Sequence, residues 1–108
     1  MKRAHLRPLA EADLLEATRH CVTEGRVELA ERMFDAAIAS LEPIEPIERM
    51  PGMGSPRLGQ LCEIPGLRSR RVTEFPMQWL YFEAEDHLEV VRLLGDRQDI
   101  LAILAVGD

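Results

Sequence analysis

The chain has 108 residues, of which 46% are hydrophobic and 30% are charged, and its formal net charge is −6. We expect one domain over residues 1–108, because this length suits a single modest core, and the composition excludes a disordered chain. Nucleic-acid binding depends mainly on basic surface that neutralises phosphates, so the acidic balance argues against a free-standing DNA or RNA binder.

The cysteine count and the short apolar stretches indicate a cytoplasmic protein. Cys21 and Cys62 are too few for a disulfide scaffold, and we interpret them as free thiols in a reducing compartment. The longest apolar run, Ile100 to Val106, is far shorter than the roughly 20 residues of a membrane-spanning helix. No signal-peptide pattern is present in the first residues, and we expect no contact with a membrane.

The beginning of the chain predicts a short strand and a helix. The strand covers about His5 to Leu9 and is closed by Pro8, which restricts it to the edge of a sheet. The pattern turns helical from Ala10, and Gly25 is a plausible stop. The apolar face of this helix, at steps of three and four residues, is formed by Leu14, Ala17, Thr18 and Cys21.

A second helix has the clearest pattern in the sequence. Its apolar positions form one continuous stripe: Ala30, Met33, Phe34, Ala37, Ile38 and Leu41. Pro43 cannot continue a helix, so we expect the end near Glu42. The short gap between the two helices favours an antiparallel hairpin. The segment Glu42-Pro43-Ile44, repeated as Glu45-Pro46-Ile47, is interpreted as a small duplication without a function.

From Leu61 onward the hydrophobic period shortens to two, which is typical of strands. Three strands are predicted, at Leu67–Phe75, Gln78–Glu83 and Leu88–Leu94, and they would form an antiparallel meander. Asp99 can cap a final short helix from Ile100 to Val106. We therefore predict an α+β fold with an N-terminal strand, an antiparallel helical hairpin packed on a small antiparallel sheet, and a short C-terminal helix.

Several stretches, taken in order, resemble the RelE/ParE family of bacterial toxins. They are Leu9–Leu14, Pro51–Arg57, Gly66–Arg68, Trp79–Phe82 and Val90–Asp99, the last with a Gly-x-Arg-x-Asp ending. None is specific alone, but the ordered set spans nearly the whole chain. The resemblance implies a ParE-like toxin of a type II toxin–antitoxin system. The chain departs from the family at Leu94, where histidine is common, and in the second Glu-Pro-Ile unit, which looks like an insertion.

The RelE branch of the family cleaves messenger RNA in the ribosome, and the residues for that chemistry are largely absent. Such cleavage requires groups that activate a 2′-hydroxyl and stabilise a crowded phosphate. Arg71 and Arg97 fit two basic positions of the branch. Ser69 and Gln78, however, stand where further basic residues are expected, and Ile103 stands where a terminal aromatic is expected. We therefore expect no catalytic residues and no enzymatic activity.

The histidines offer no other chemistry at the level of sequence. His5, His20 and His87 fall on a predicted strand, helix and turn, and no pair has the spacing of a triad or of metal ligands. We expect each of them to be a surface residue. No metal site and no cofactor are predicted.

The resemblance to the ParE branch implies inhibition of DNA gyrase by binding. Candidate target contacts are Arg68, Arg70 and Arg71 on the strands and Arg97 in the terminal motif. Arg97 could equally form a salt bridge with Asp99.

The resemblance also implies a partner, a ParD-like antitoxin that forms a hetero-oligomer with this chain. The chain would then contact DNA only indirectly, through the antitoxin. Candidate antitoxin contacts are Leu101, Ile103 and Leu104 in the apolar final helix, which could equally belong to the core, and Trp79. Large aromatic residues dominate cores, so packing of Trp79 and Tyr81 against the hairpin is the favoured interpretation of these two. Two alternative functions stay open: a ribosome-dependent mRNA endoribonuclease and an inactive member that only binds antitoxin.

Overall fold

The computed structural model describes residues 3–41, 60 and 63–96 of the chain. Its elements, in chain order, are β1 (Arg3–Leu6), α1 (Pro8–Thr23), α2 (Val27–Leu41), β2 (Leu67–Arg71), β3 (Met77–Glu83) and β4 (His87–Gly95). The predicted order of a strand, two helices and three strands is therefore confirmed. The predicted C-terminal helix and the Glu-Pro-Ile repeat lie outside the described residues.

Pro8 opens the first helix instead of closing the first strand, which corrects the sequence prediction. Proline suits the first turn of a helix because its φ angle is fixed near the helical value and the amide hydrogen it lacks would have no partner there. The strand accordingly ends at Leu6, and α1 begins two residues earlier than the hydrophobic pattern indicates. Gly25 adopts a φ of +78°, a conformation that glycine tolerates best, and the predicted stop there is confirmed.

The second helix matches its prediction closely. It ends at Leu41, before the first proline of the loop, and the side chains of Ala30, Met33, Ala37 and Leu41 are buried. Phe34, at the margin of the predicted stripe, remains 36% exposed. The hydrophobic period therefore predicted both the helix and most of its buried face.

The sheet is mixed, because β1 runs parallel to its neighbour. The strand order is β1-β4-β3-β2; β2, β3 and β4 form the predicted antiparallel meander, whereas β1 pairs with β4 in parallel. The prediction of a wholly antiparallel sheet is wrong for this strand. A parallel pair requires a long connection, here the hairpin and two strands, and local periodicity does not reveal such distant pairings.

Both faces of the sheet carry a hydrophobic cluster. On one face, Trp79, Tyr81, Val90 and Leu93 pack with residues of the two helices: Ala10, Leu14, Ala37 and Leu41. On the other face, Leu67, Leu80 and Leu94 form a second cluster, to which neither α1 nor α2 contributes a residue. The register of β3 and β4 shifts between Leu80 and Tyr81, and this irregularity allows Val90 and Leu93 to share a face although three positions separate them.

An ion pair fastens α1 to the sheet. The Asp13 carboxylate accepts hydrogen bonds from Nε and Nη2 of Arg92, at 2.7 and 3.0 Å. It also accepts the backbone N–H of Leu93 at 2.9 Å. Both side chains are mostly buried, with 17% of Asp13 and 23% of Arg92 exposed, and the hydrogen bond raises the pKa of Arg92. Neither α1 nor α2 has the length and apolar character that a helix needs to cross a membrane.

Candidate functional site

Three of the candidate arginines lie on β2, but they do not share one face of the sheet. Leu67 and Ser69 are buried, whereas Arg68 and Arg70 are half-exposed. Arg68 is in register with Tyr81 and Arg70 with Trp79, so both lie on the face that carries the helical hairpin. Arg71, one position further along the strand, lies on the opposite face. Arg97, the fourth candidate, is outside the described residues.

Arg68 and Arg70, referred to below as the arginine pair, lie close enough to Tyr81 for their positive charges to act on its hydroxyl group. Burial raises the pKa of the Tyr81 phenol, and the positive charges of Arg70 and Arg68 partly oppose that rise. The phenol therefore stays protonated at neutral pH. Guanidinium groups present planar sets of donors that suit carboxylates and phosphates, so the arginine pair can bind an anionic group of a partner.

A cleft adjoins the arginine pair at the start of β2. It has a volume of about 340 Å³ and is lined by Gln60, Glu63, Ile64, Pro65, Gly66, Leu67 and Arg68. Its lining combines the apolar residues Ile64, Pro65 and Leu67 with the polar residues Gln60, Glu63 and Arg68. Such a cleft can accept an apolar side chain while the arginine binds a neighbouring anionic group. Sequence reasoning missed it because its walls come from a turn with no periodic pattern.

Arg71 already has an anionic partner within the chain. Its Nη1 and Nη2 donate to the two carboxylate oxygens of Asp96 at 3.1 and 2.6 Å. The hydrogen bond to Asp96 raises the pKa of Arg71, and the same bond lowers the pKa of Asp96. The pair is open to solvent, since 61% of the Arg71 side chain and 35% of the Asp96 side chain are exposed.

Trp79 is a core residue. Its side chain is fully buried, and its Nε1–H donates to the carbonyl oxygen of Ala37 at 2.9 Å and to Oγ of Ser40 at 3.1 Å. This geometry confirms the interpretation that Trp79 packs against the hairpin. With no exposed surface, Trp79 cannot be an antitoxin contact in the folded chain, which corrects that assignment. The other antitoxin candidates, Leu101, Ile103 and Leu104, are outside the described residues.

The helical hairpin carries apolar side chains that the fold leaves exposed. They are Leu9, Leu15, Val22, Val27 and Phe34, with exposed fractions between 36% and 59%. Leu15 and Val22 are seven residues apart on α1, and Val27 and Phe34 are seven residues apart on α2, so each pair lies on one face of its helix. Exposed apolar groups of this kind often mark a protein–protein contact. Of these residues, only Phe34 belongs to an apolar stripe that the sequence predicts to be buried.

Two of the three histidines, which the sequence predicts as surface residues without the spacing of metal ligands, lie close together in the structure. The rings of His5 on β1 and His87 on β4 have centroids 5.0 Å apart. Hydrogen bonds to Asp86 and Glu89 raise the pKa of His87. The hydrogen bond to Arg7 lowers the pKa of Glu89 most, and the hydrogen bond to His87 lowers it further. The parallel pairing of β1 with β4 creates this cluster, and no local spacing in the sequence could have indicated it.

Comparison with known proteins finds a match in structure but none in sequence. No protein-family model and no curated protein matches the chain. A chain in the solved structure of the chromosomal ParDE TA system from P. aeruginosa superposes with a TM-score of 0.71 at 20% sequence identity. The alignment covers 88% of this chain and 96% of that chain. The two chains share one fold. The ParE-like resemblance indicated by the sequence is thereby confirmed as a likeness of fold.

Proposed function

We propose that this chain is the toxin component of a bacterial type II toxin–antitoxin system, that it inhibits DNA gyrase by binding, and that a ParD-like antitoxin neutralises it. The observation that carries the proposal is the ParDE-type fold, which extends over nearly all of both chains. The ordered RelE/ParE-like stretches of the sequence support the same conclusion independently. Because gyrase acts on chromosomal DNA, we propose that the chain acts in the cytoplasm.

We assign the arginine pair as the principal contact with the target. Arg68 and Arg70 are half-exposed and lie on one face of β2, which is an edge strand of the sheet formed by the described residues. Arg68 also lines the cleft at the start of β2. Arg71 is a second candidate, because its partner Asp96 can be exchanged for a carboxylate or phosphate of the target. Arg97 remains a candidate from the family resemblance.

Binding without bond cleavage is part of the proposal. A nuclease would need an acid–base group beside its phosphate-binding residues. Tyr81, beside the arginine pair, is only 3% exposed and has a raised pKa. The carboxylate of Glu63, which lines the cleft with Arg68, is unfavourable for a bound phosphate because like charges repel. His87 and His5 belong to the opposite edge of the sheet, where β1 pairs with β4. The arrangement favours an anion-binding surface over a catalytic centre.

The test is a gyrase supercoiling and cleavage assay with the purified chain and gyrase from the organism that encodes it. We expect loss of supercoiling or accumulation of cleaved DNA, and a weakening of at least about fivefold in Arg70→Gln, since a contact charge is removed. Arg19→Gln is the matched control, because Arg19 is an arginine of α1 with 73% of its side chain exposed. No effect of folded protein at large molar excess would refute the gyrase target.

Pulse labelling after induction in cells separates the proposed function from the nuclease alternative. A gyrase inhibitor should stop DNA synthesis first, whereas a ribosome-dependent nuclease should stop translation first. Growth that continues unchanged without antitoxin would instead indicate an inactive, antitoxin-binding member.

We propose that the antitoxin covers the exposed apolar residues of the hairpin. Apolar area that the fold leaves in water is a source of binding free energy for a partner. The double variant Leu15→Glu and Val22→Glu changes only exposed side chains, so the chain should fold and lose affinity for a ParD-like antitoxin. His20→Glu, at an exposed position of the same helix that is five and two residues from Leu15 and Val22 and so lies on another face, is the control. Equal affinity of the double variant and the control would place the antitoxin elsewhere.

A further inference from the structure

A cluster of metal-ligating side chains lies at the edge of the sheet where β1 pairs with β4. In the parallel register, His5 is opposite Glu89, and His87 is two residues before Glu89 on the same strand face. Their neighbours Ala4, Leu6 and Leu88 pack toward the helix-facing cluster. His5, His87 and Glu89 therefore project from the face opposite the helices.

The three side chains are close enough to share one ion. Each offers a ligand atom, and these atoms all lie within 4.8 Å of one another. Nε2 of His87 is 2.9 Å from Oε1 of Glu89. Ligand atoms around a tetrahedral zinc ion are separated by roughly 3.3 Å, so a small rotation of the exposed His5 ring and a slight widening of the His87–Glu89 contact would complete the arrangement.

Two of the three groups are also held in place by outer partners. Nδ1 of His87 bonds to Oδ1 of Asp86 at 2.7 Å, which leaves Nε2 directed toward Glu89. The second carboxylate oxygen of Glu89 accepts a hydrogen bond from Nε of Arg7 at 2.8 Å. Carboxylate partners of a ligating histidine and hydrogen bonds to a ligating carboxylate are the usual supports of metal sites. Among the described residues, no other group of this kind brings together three ligating side chains.

We propose that His5, His87 and Glu89 bind a zinc ion, with a water molecule as the fourth ligand. Two imidazoles and one carboxylate form a donor set that zinc accepts in tetrahedral sites. Calcium and magnesium prefer oxygen ligands and suit the cluster less. On binding, zinc displaces the proton between Nε2 of His87 and Oε1 of Glu89 and that proton is released to solvent, so the contact between these residues passes through the ion. The ion also joins β1 to β4 by bonds that do not depend on the short strand ladder.

The proposal concerns the isolated chain and is independent of its cellular target. Zinc titration by calorimetry should be performed in a Cys21→Ser, Cys62→Ser background, because thiolates also bind zinc. We expect one zinc per chain and an increase in melting temperature of roughly 10 °C at a hundredfold excess over Kd. His5→Gln, His87→Gln and Glu89→Gln should each lower the affinity by more than about tenfold, and Asp86→Asn by about tenfold.

His20→Gln is the matched control. His20 is exposed on α1 and has one carboxylate nearby, that of Glu24 at 3.4 Å, so it offers two ligands and should not contribute. Nitrogen-15 NMR of the imidazole rings in the unsubstituted chain provides a second measurement that needs no variant. Zinc should shift the ring nitrogens of His5 and His87 and leave those of His20 unchanged. Absence of stoichiometric binding, binding that survives His5→Gln, or equal shifts at all three histidines would overturn the proposal.

Discussion

Two arginine–aspartate pairs in this chain have the same chemistry and different surroundings. Arg92 and Asp13 join β4 to α1 with 23% and 17% of their side chains exposed, whereas Arg71 and Asp96 join two strand ends with 61% and 35% exposed. Both arginines make bidentate contacts. Exposure decides what each pair can contribute, because water and salt weaken an open ion pair far more than a sheltered one. We therefore expect the Arg92–Asp13 pair to stabilise the fold. We expect Arg71 to be able to exchange Asp96 for an acidic group of a partner.

The largest effect is expected when the sheltered pair loses its carboxylate. Asp13→Ala should lower the free energy of unfolding by about 2–3 kcal/mol, because the mostly buried Arg92 side chain and the N–H of Leu93 both lose their hydrogen-bond acceptor. Urea unfolding followed by circular dichroism measures this. Glu16→Ala removes a 75% exposed acid from the same helix and should change stability by less than about 0.5 kcal/mol. Equal losses in the two variants would show that the sheltered pair has no special role.

A smaller loss is expected when the charge is removed and one acceptor is kept. Asp13→Asn retains an amide oxygen that can accept from Leu93 or Arg92, but it cannot hold both as a carboxylate does. We expect about 1–2 kcal/mol of destabilisation in the same urea experiment. A loss as large as that of Asp13→Ala would mean that the charge alone, and not the number of acceptors, fastens α1 to the sheet.

The exposed pair should matter more for binding than for stability. Arg71→Gln is expected to change the melting temperature by less than about 2 °C, as is usual for open surface pairs. The same variant should weaken gyrase inhibition if Arg71 exchanges Asp96 for the target. Asp96→Asn is the informative companion, because it releases Arg71 without removing it and should leave inhibition intact or strengthen it. Weaker inhibition in both variants would assign Asp96 itself to the contact.

The pH dependence of the exposed pair should be the smallest effect. Arg71 lowers the pKa of Asp96 in the folded chain. The pair therefore stabilises the fold at any pH above the pKa of an unfolded aspartate, which is about 4. This stabilisation is lost as the pH falls through the lowered pKa of Asp96. The difference in melting temperature between the unsubstituted chain and Arg71→Gln should be constant from neutral pH down to about pH 5 and disappear once the pH lies below the lowered pKa of Asp96. A difference that grows toward acid would contradict this assignment.

The sequence predicts elements well where one local pattern determines them. The stripe from Ala30 to Leu41 has a single period, so both the helix and its buried face follow from it. The alternation around Trp79 and Leu80 likewise places their side chains on opposite faces of the sheet. Pro8 shows the limit, since proline is compatible both with the end of a strand and with the first turn of a helix, and the flanking residues do not decide between them.

The contacts that define the candidate sites were less predictable because they join distant residues. Arg92 and Asp13 are 79 positions apart, and Arg7 and Glu89 are 82 positions apart. One weak signal was present. Ala4 and Leu6 alternate with polar residues in the same phase as Leu88 and Val90, and pairing these two stretches would have brought His5 beside Glu89. The arginines of β2 were found from the family resemblance, but their division between two faces required the strand register.

The parallel pairing of β1 and β4 also determines when the sheet can be completed during synthesis of the chain. β1 is synthesised before its partner strand, which follows some 84 residues later in the register of Arg3 with His87, a delay of about 4–17 s at ordinary rates of translation. Throughout that interval Asp13 has no Arg92 to bind, and the helices lack the β4 residues Val90 and Leu93 of the helix-facing cluster. A nascent chain therefore acquires the surface of this sheet only after β4 has been synthesised, and a partner that recognises the surface must wait until then.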